Sequence, residues 1–380
     1  MASKITRYVV MGKGSPLVAI PAAKPTTLEP TEVMIRLKAI AINPADWKMI
    51  DQGHRVTSWP VVPGLDGAGI VEAVGDNVKS FVSGDEVLAM FGAGDRGGSY
   101  QDFAVVQETM VAKIPRTWSF EEAATLGCVI HCSLHLCQAI LLCLAPLFFS
   151  REFTCVGLKP FLVFRVCYAT GVVALGVGLK TPLPFLKDGP TTGFQPSSVL
   201  ILGGSSALGA AVIQLLRLAV PNCMIMATSS PKHHSHITNA LGANGAFDRN
   251  SASLITEVRS ASPGSRGVDA IIDLVGAGST QRHIFEAFDP DGPKRYAQVW
   301  TGDEEIEAPS GVDSVMFMCR ELSQLQGSKN VMLALQTLLQ DGRYKLPLPV
   351  RKVGAGLDGL EEGLQLMRKG VSGEKLVVTI

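Results

Sequence analysis

Four apolar residues, Val199-Leu-Ile-Leu202, run directly into Gly203-Gly-Ser-Ser-Ala-Leu-Gly209 and then into a helical pattern over 206–219. This order leaves few folds open. A buried strand must end in a turn too tight for most side chains, and a helix must begin at once. Cys223-Met-Ile-Met-Ala-Thr228 supplies the next strand, followed by Val268-Asp-Ala-Ile-Ile-Asp-Leu-Val275 and Arg295-Tyr-Ala-Gln-Val-Trp300. From about residue 167 the chain therefore alternates strand and helix, which predicts an α/β fold with a doubly wound parallel sheet of Rossmann type.

A glycine turn between a strand and a helix lets backbone amides approach a pyrophosphate, and the helix N-terminus adds partial positive charge. The flanking strands supply the context that a glycine string alone lacks. Gly203, Gly204, Ser205, Ser206, Ala207, Leu208 and Gly209 are the candidate phosphate cradle. Enzymes that use the unphosphorylated dinucleotide place an acid at the end of the second strand, on the ribose hydroxyl. Here that position reads Ser229-Ser-Pro-Lys232. Ser229, Ser230, Pro231 and Lys232 offer hydroxyls and a cation suited to a ribose phosphate, so NADPH is the expected cofactor.

The first 125 residues read differently, as short strands separated by glycine and proline, among them Glu32-Val-Met-Ile-Arg-Leu-Lys-Ala-Ile with alternating faces. They predict a β-rich, partly closed barrel. Lysine plus arginine and aspartate plus glutamate each number 34, so the net charge is zero and no basic surface for nucleic acid or an anionic membrane is expected. The N-terminus has no continuous apolar core of a secretory signal, and a cytosolic protein is expected. Five of the eight cysteines (Cys128, Cys132, Cys137, Cys143 and Cys155) crowd into an apolar stretch, 128–166, that fits neither pattern. Its apolar run is broken by Gln138 and Pro146 and is short for a membrane span.

Several stretches together resemble the medium-chain dehydrogenase/reductase superfamily, above all its quinone reductases and fungal trans-acting enoyl reductases. They are Ala41-Ile-Asn-Pro-Ala-Asp-Trp-Lys48, Pro63-Gly-Leu-Asp-Gly-Ala-Gly-Ile-Val-Glu-Ala-Val-Gly75, Ser83-Gly-Asp-Glu-Val87, Gly97-Gly-Ser-Tyr-Gln-Asp-Phe103, the glycine turn and Ser372-Gly-Glu-Lys-Leu-Val377. The resemblance implies a GroES-like catalytic domain over 1–127 completed by 325–380, with a Rossmann domain over 167–324. It makes 128–166 an anomalous insert, such as a retained intron or a gene-model error. Zinc-dependent members of the superfamily carry a cysteine within the stretch matching Asn43-Pro-Ala-Asp46, and a His-Glu pair where this chain has Leu65-Asp66. The resemblance thus implies no metal, and chemistry on an already polarised carbon–carbon double bond.

By position, the resemblance puts Asp46, Trp47, Lys48 and Met49 in a loop beside the cofactor. Lys48 would contact the cofactor or polarise the substrate carbonyl, a solvated loop lysine being the bland alternative. Val275 and Gly276 would approach the nicotinamide, and Thr170, Gly171, Val172, Val173 and Ala174 would lie beside the substrate. The implied activity is NADPH-dependent reduction of an enoyl thioester borne by the acyl carrier domain of a polyketide synthase, by a monomer. The alternatives are a quinone or free enone reductase and a non-catalytic NADPH-binding sensor or scaffold. Cys128, His131, Cys132, His135 and Cys137 include a His-x3-His spacing compatible with zinc, but little polar second shell surrounds them. The His233-His-Ser-His236 run reads as a solvated helix start.

Overall fold

A computed structural model describes residues 4–54, 56–126, 167–300 and 305–380. The stretch 128–166, with its cysteines and histidines, lies outside the described residues.

The N-terminal strands are β1 (Lys4–Val10), β2 (Leu17–Ala23), β3 (Glu32–Ala41), β4 (Asp66–Val74), β5 (Glu86–Met90), β6 (Phe103–Gln107) and β7 (Val111–Lys113). Those of the second part are β8 (Ser198–Leu202), β9 (Met224–Ser229), β10 (Gly245–Asp248), β11 (Ala270–Asp273), β12 (Arg295–Val299) and β13 (Asp313–Phe317). The last two are β14 (Val350–Ala355) and β15 (Lys375–Thr379). Helices α1 (Pro44–Gln52), α2 (Phe120–Ala124), α3 (Cys167–Val173), α4 (Ala207–Ala219), α5 (Leu254–Ala261), α6 (Ala277–Thr280), α7 (Val331–Gln340) and α8 (Gly356–Lys369) complete the framework.

The second sheet has the order β10-β9-β8-β11-β12-β13, and every pairing in it is parallel. Taken in chain order from β8, this is the 3-2-1-4-5-6 arrangement of a doubly wound dinucleotide fold, whose order reverses between β8 and β11. Ligands bind such sheets outside the carboxyl ends of the strands at that reversal. All five residues of β8 are buried because parallel neighbours flank it and helices cover its faces. The helix after the glycine turn, α4, is buried continuously from Leu208 to Leu216 and so exposes no polar face along that length. It lies between the sheet and α3, where Gly171 approaches so closely that a Cβ would stand 2.8 Å from Leu215 Cδ1.

β1 and β2 pair antiparallel as a two-stranded sheet, and the largest sheet runs β14-β15-β3-β4-β5-β7, with β6 also on β3. The C-terminal strand β15 pairs antiparallel with β3, so the last residues of the chain complete the sheet built by the first hundred. One apolar core continues from Leu65 and Leu88 of this half, through Val172 of α3, to Ile201 and Ile213 of the other. Arg368 of α8 grips Asp51 of α1 through two bonds of 2.7 Å, fixing the helix that leads from β3 into the space between the sheets.

Candidate active site

The centre of the site is the turn after β8. Gly203 takes a left-handed conformation (φ 86°), and a Cβ there would lie 2.5 Å from Val275 Cγ1. Gly209 sits against backbone, where a Cβ would be 2.3 Å from the Gly203 carbonyl oxygen. Ser206 caps α4, its Oγ accepting the Gly209 N–H at 2.9 Å. The first-turn amides of a helix have no intrahelical acceptor, and the dipole favours an anion there.

In front of this turn lies a cavity of about 310 Å³, with Asn43, Pro44, Leu208, Val275 and Lys375 among its lining residues. A second cavity of about 360 Å³ shares Gly203, Ser205, Arg249 and Val275 with the first and adds Ser229 and Gln281. Together they form a groove across the carboxyl ends of the parallel strands, with Asn43 and Lys375 at one end, Ser229 at the other, and Arg249 on the part the two cavities share. Its size, glycine cradle and helix N-terminus fit an extended dinucleotide.

Of the residues singled out in the sequence, Gly203, Ser205, Ser206, Ala207, Leu208, Ser229, Val275 and Gly276 line this groove. Gly204 and Gly209 stand behind it, with a Cβ on Gly204 placed 2.7 Å from Ala227 Cβ. Ser229 is buried and donates its hydroxyl to the Ser230 carbonyl oxygen at 3.0 Å. Pro231 and Lys232 are exposed in a short 3-10 turn beside it. The loop carrying Val275 and Gly276 is held by Asp273, whose carboxylate accepts the N–H groups of Val275, Ala277 and Gly278 at 3.1, 3.0 and 2.8 Å. The Tyr296 hydroxyl donates to the same carboxylate at 2.8 Å. Burial, and then the Asp273 charge, push this hydroxyl far above its ordinary pKa, so it stays a donor.

Three expectations need correction. The stretch over Asp46, Trp47, Lys48 and Met49 is a helix, α1, because Pro44 sets the first-turn backbone angle and Asp46 accepts the Asn43 N–H at 2.8 Å. This geometry turns Asp46 and Met49 into the core, both without exposed surface. Trp47 and Lys48 are half-buried, with the Lys48 ammonium 5.8 Å from the Trp47 ring, and neither is among the groove-lining residues. Thr170, Gly171, Val172, Val173 and Ala174 are buried, the first four in α3 and Ala174 just after it. They pack on α4, the small side of α3 admitting Leu215, Ala211 and Val212. The histidine run does not simply meet solvent: His233 Nε2 lies 3.2 Å from the Ser372 hydroxyl, and His236 Nε2 lies 2.9 Å from the Pro347 carbonyl oxygen.

Sequence reasoning passed over Arg249, Asp273 and Lys375. Arg249 follows β10, whose carboxyl end opens on the same crevice, and its N–H donates to the Ser229 carbonyl oxygen at 3.0 Å. Lys375 opens β15 within the quoted Ser372-Gly-Glu-Lys motif, and its ammonium reaches the Asn43 side-chain oxygen and, at 3.3 Å, Asp66 Oδ2. Behind this pair, burial with the nearby Asp66 charge pushes Asp46 up to about 7, against the Asn43 amide and the Lys375 charge. Among the described residues, no group of three or more His, Cys, Asp or Glu is placed to hold a metal ion. No described helix is long and apolar enough to cross a membrane.

The Asp46 environment has a pH consequence. A carboxyl raised in the fold contributes its full share below its ordinary value of 3.8, and that share is lost as pH rises through about 7. The shift bounds the loss at about 4 kcal/mol. Asp46→Asn is therefore expected to be more stable than the native chain at pH 8 by ~1–3 kcal/mol, with the gap closing toward pH 4. Urea unfolding across that range measures it; parallel profiles for the two proteins would contradict this environment.

The doubly wound parallel sheet, the glycine turn at its reversal and the mixed sheet of the N-terminal half give the chain the fold of the medium-chain dehydrogenase/reductases, a class of oxidoreductases. Residues 29–116 match the alcohol dehydrogenase GroES-like domain. The chain is similar to trans-enoyl reductase pyiC of Pyricularia grisea, with 28% identity covering 93% of this chain and 88% of the relative. Trans-enoyl reductase FMN2 of Fusarium mangiferae is 29% identical, covering 92% and 93% respectively. Among solved structures, the CurK enoyl reductase shares the fold with a TM-score of 0.69 at 20% identity, over 99% of each chain.

Proposed function

We propose that the chain is an NADPH-dependent, zinc-independent enoyl reductase acting in trans. Its substrate is an α,β-unsaturated thioester held on the acyl carrier domain of a polyketide synthase. The observation that carries this reading is the groove, which joins a phosphate-binding glycine turn to an end lined by Asn43 and Lys375. The relatives named trans-enoyl reductase support an enoyl substrate. The unit is taken as a cytosolic monomer in which residues 1–127 with 325–380 bind substrate and 167–324 bind the cofactor.

In this reading the amides of Ser205, Ser206, Ala207 and Leu208 hold the pyrophosphate at the N-terminus of α4. Ser229, Ser230, Lys232 and Arg249 take the ribose phosphate, and Val275 and Gly276 flank the nicotinamide. When bound, the reduced nicotinamide supplies a hydride for the β carbon of the substrate. The protein positions the acceptor, keeps water from the transfer and stabilises charge on the thioester oxygen.

Arg249→Ala is expected to raise the KM for NADPH by about 10- to 100-fold, the worth of a charge-assisted contact, and to leave the KM for NADH nearly unchanged. Initial rates with both cofactors test this. Equal losses with the two would remove Arg249 from phosphate recognition. Turnover itself is tested by following NADPH oxidation with an enoyl pantetheine thioester and with a small quinone. Quinone turnover alone would replace the enoyl reductase reading by a quinone reductase one.

A further inference from the structure

The glycine turn fixes where a pyrophosphate sits, so the two ends of the groove are not equivalent. Ser229, at the end of the second parallel strand and lining only the second cavity, marks the adenosine end, with Val275 between that cavity and the other. The reacting end must then be the opposite one, at Asn43 and Lys375. Lys375 lines the cavity and is 5% exposed, and its ammonium is held by two buried acceptors, Asn43 (2% exposed) and Asp66 (1%). A buried ammonium is costly without such partners, and with them its position is set before any ligand arrives. Fixed charge at the wall of a cleft acts strongly on charge that develops there, because little reorganisation is needed. Lys48, the sequence-based candidate for polarising the carbonyl, lies on α1 and is not among the lining residues.

We propose that Lys375 is a catalytic residue that stabilises the enolate oxygen formed during reduction of the enoyl thioester, with Asp66 and Asn43 as its positioning residues. The inference rests on the enoyl reductase reading. Hydride from the reduced nicotinamide forms a new C–H bond at the β carbon. The carbon–carbon π pair becomes the enolate double bond, and the carbonyl π pair moves onto oxygen beside the ammonium. Lys375 keeps its proton. Water then protonates the α carbon, the carbonyl reforms, and the nicotinamide is left oxidised.

The test compares the full-length native enzyme with Lys375→Met and Lys375→Arg on an enoyl pantetheine thioester and a nitroalkene, with NADPH affinity measured separately by nicotinamide fluorescence. A nitroalkene carries its developing charge on its own nitro group and needs less help from a cation. Lys375→Met is expected to lower kcat on the thioester by about 10²- to 10³-fold, the range for losing one oxyanion partner. The nitroalkene rate should fall less than tenfold, NADPH affinity should stay within about threefold, and Lys375→Arg should restore part of the thioester rate. Because Lys375→Met leaves Asp66 buried without this cation, a Lys375→Met/Asp66→Asn variant should show the same acceptor pattern if the single variant does not fold.

Equal losses on both acceptors in a folded variant would overturn the assignment, as would an unchanged thioester rate. A fall in NADPH affinity matching the loss of rate would overturn it too, by giving the lysine to cofactor binding. A native enzyme that reduces neither acceptor would instead reject the enoyl reductase reading, and the assignment with it.

Discussion

Gly209→Val is expected to abolish measurable NADPH binding, an affinity loss of at least ~100-fold on the proposed reading. The neighbours of Gly209 are backbone atoms with nowhere to move: a Cβ would meet the Gly203 carbonyl oxygen at 2.3 Å and Gly204 Cα at 2.8 Å. Relieving the overlap means opening the turn, which misdirects the first-turn amides of α4. Overpacking of this kind also costs about 1–3 kcal/mol of stability. Gly92→Ala is the control, since nothing lies within 4 Å of its Cβ position. Nicotinamide fluorescence titration should separate the two variants clearly; native affinity in Gly209→Val would mean that the cofactor does not use this turn.

Asp273→Ala is expected to cost the most stability, about 3–5 kcal/mol. The carboxylate is fully buried and serves three amides and the Tyr296 hydroxyl. Removing it leaves two buried donors, the Gly278 N–H and the Tyr296 hydroxyl, without an acceptor, each worth about 1–3 kcal/mol before local relaxation, and frees two part-buried amides. The Val275–Gly278 loop should loosen as well, so NADPH affinity should fall alongside stability. Tyr296→Phe removes one donor and leaves the carboxylate its three amides, and should cost only about 1 kcal/mol. Urea unfolding of both variants checks the ranking. Similar costs for the two would show that Asp273 does not organise the loop.

These two predictions draw on different depths of legibility. The glycine turn was readable because local sequence dictates it: a β-strand, glycines that tolerate close backbone approach, and a helix start. The strand pattern likewise foretold the parallel sheet, and the Ser372–Val377 motif foretold a last strand able to return to the first sheet. Asp273 was hidden because its role depends on a loop that turns back over it and on a tyrosine from the next strand. The strand read over 268–275 is in fact only Ala270–Asp273, since the carboxylate bends the chain away at Val275.

The misplacements share a physical cause. Asn43-Pro-Ala-Asp46 is a helix start with proline at the first position, so Asp46, Trp47, Lys48 and Met49, which the resemblance assigns to a loop, are helical. The small residues from Thr170 to Ala174 suit a roomy cleft, and they suit close helix packing equally well; α4 takes the space. Lys375 acquires its significance only from Asn43, 332 positions away, and Asp66, 309 positions away. No local pattern announces a cation assembled over such distances.

The most direct test of the account is to incubate the full-length protein with an enoyl pantetheine thioester and NADPH deuterated at the transferable position of the nicotinamide. Enoyl reduction in this groove gives stoichiometric NADPH oxidation and a saturated thioester carrying the label on its β carbon. NADPH binding without label transfer to any enoyl acceptor would contradict it and leave a nucleotide-binding protein without this chemistry.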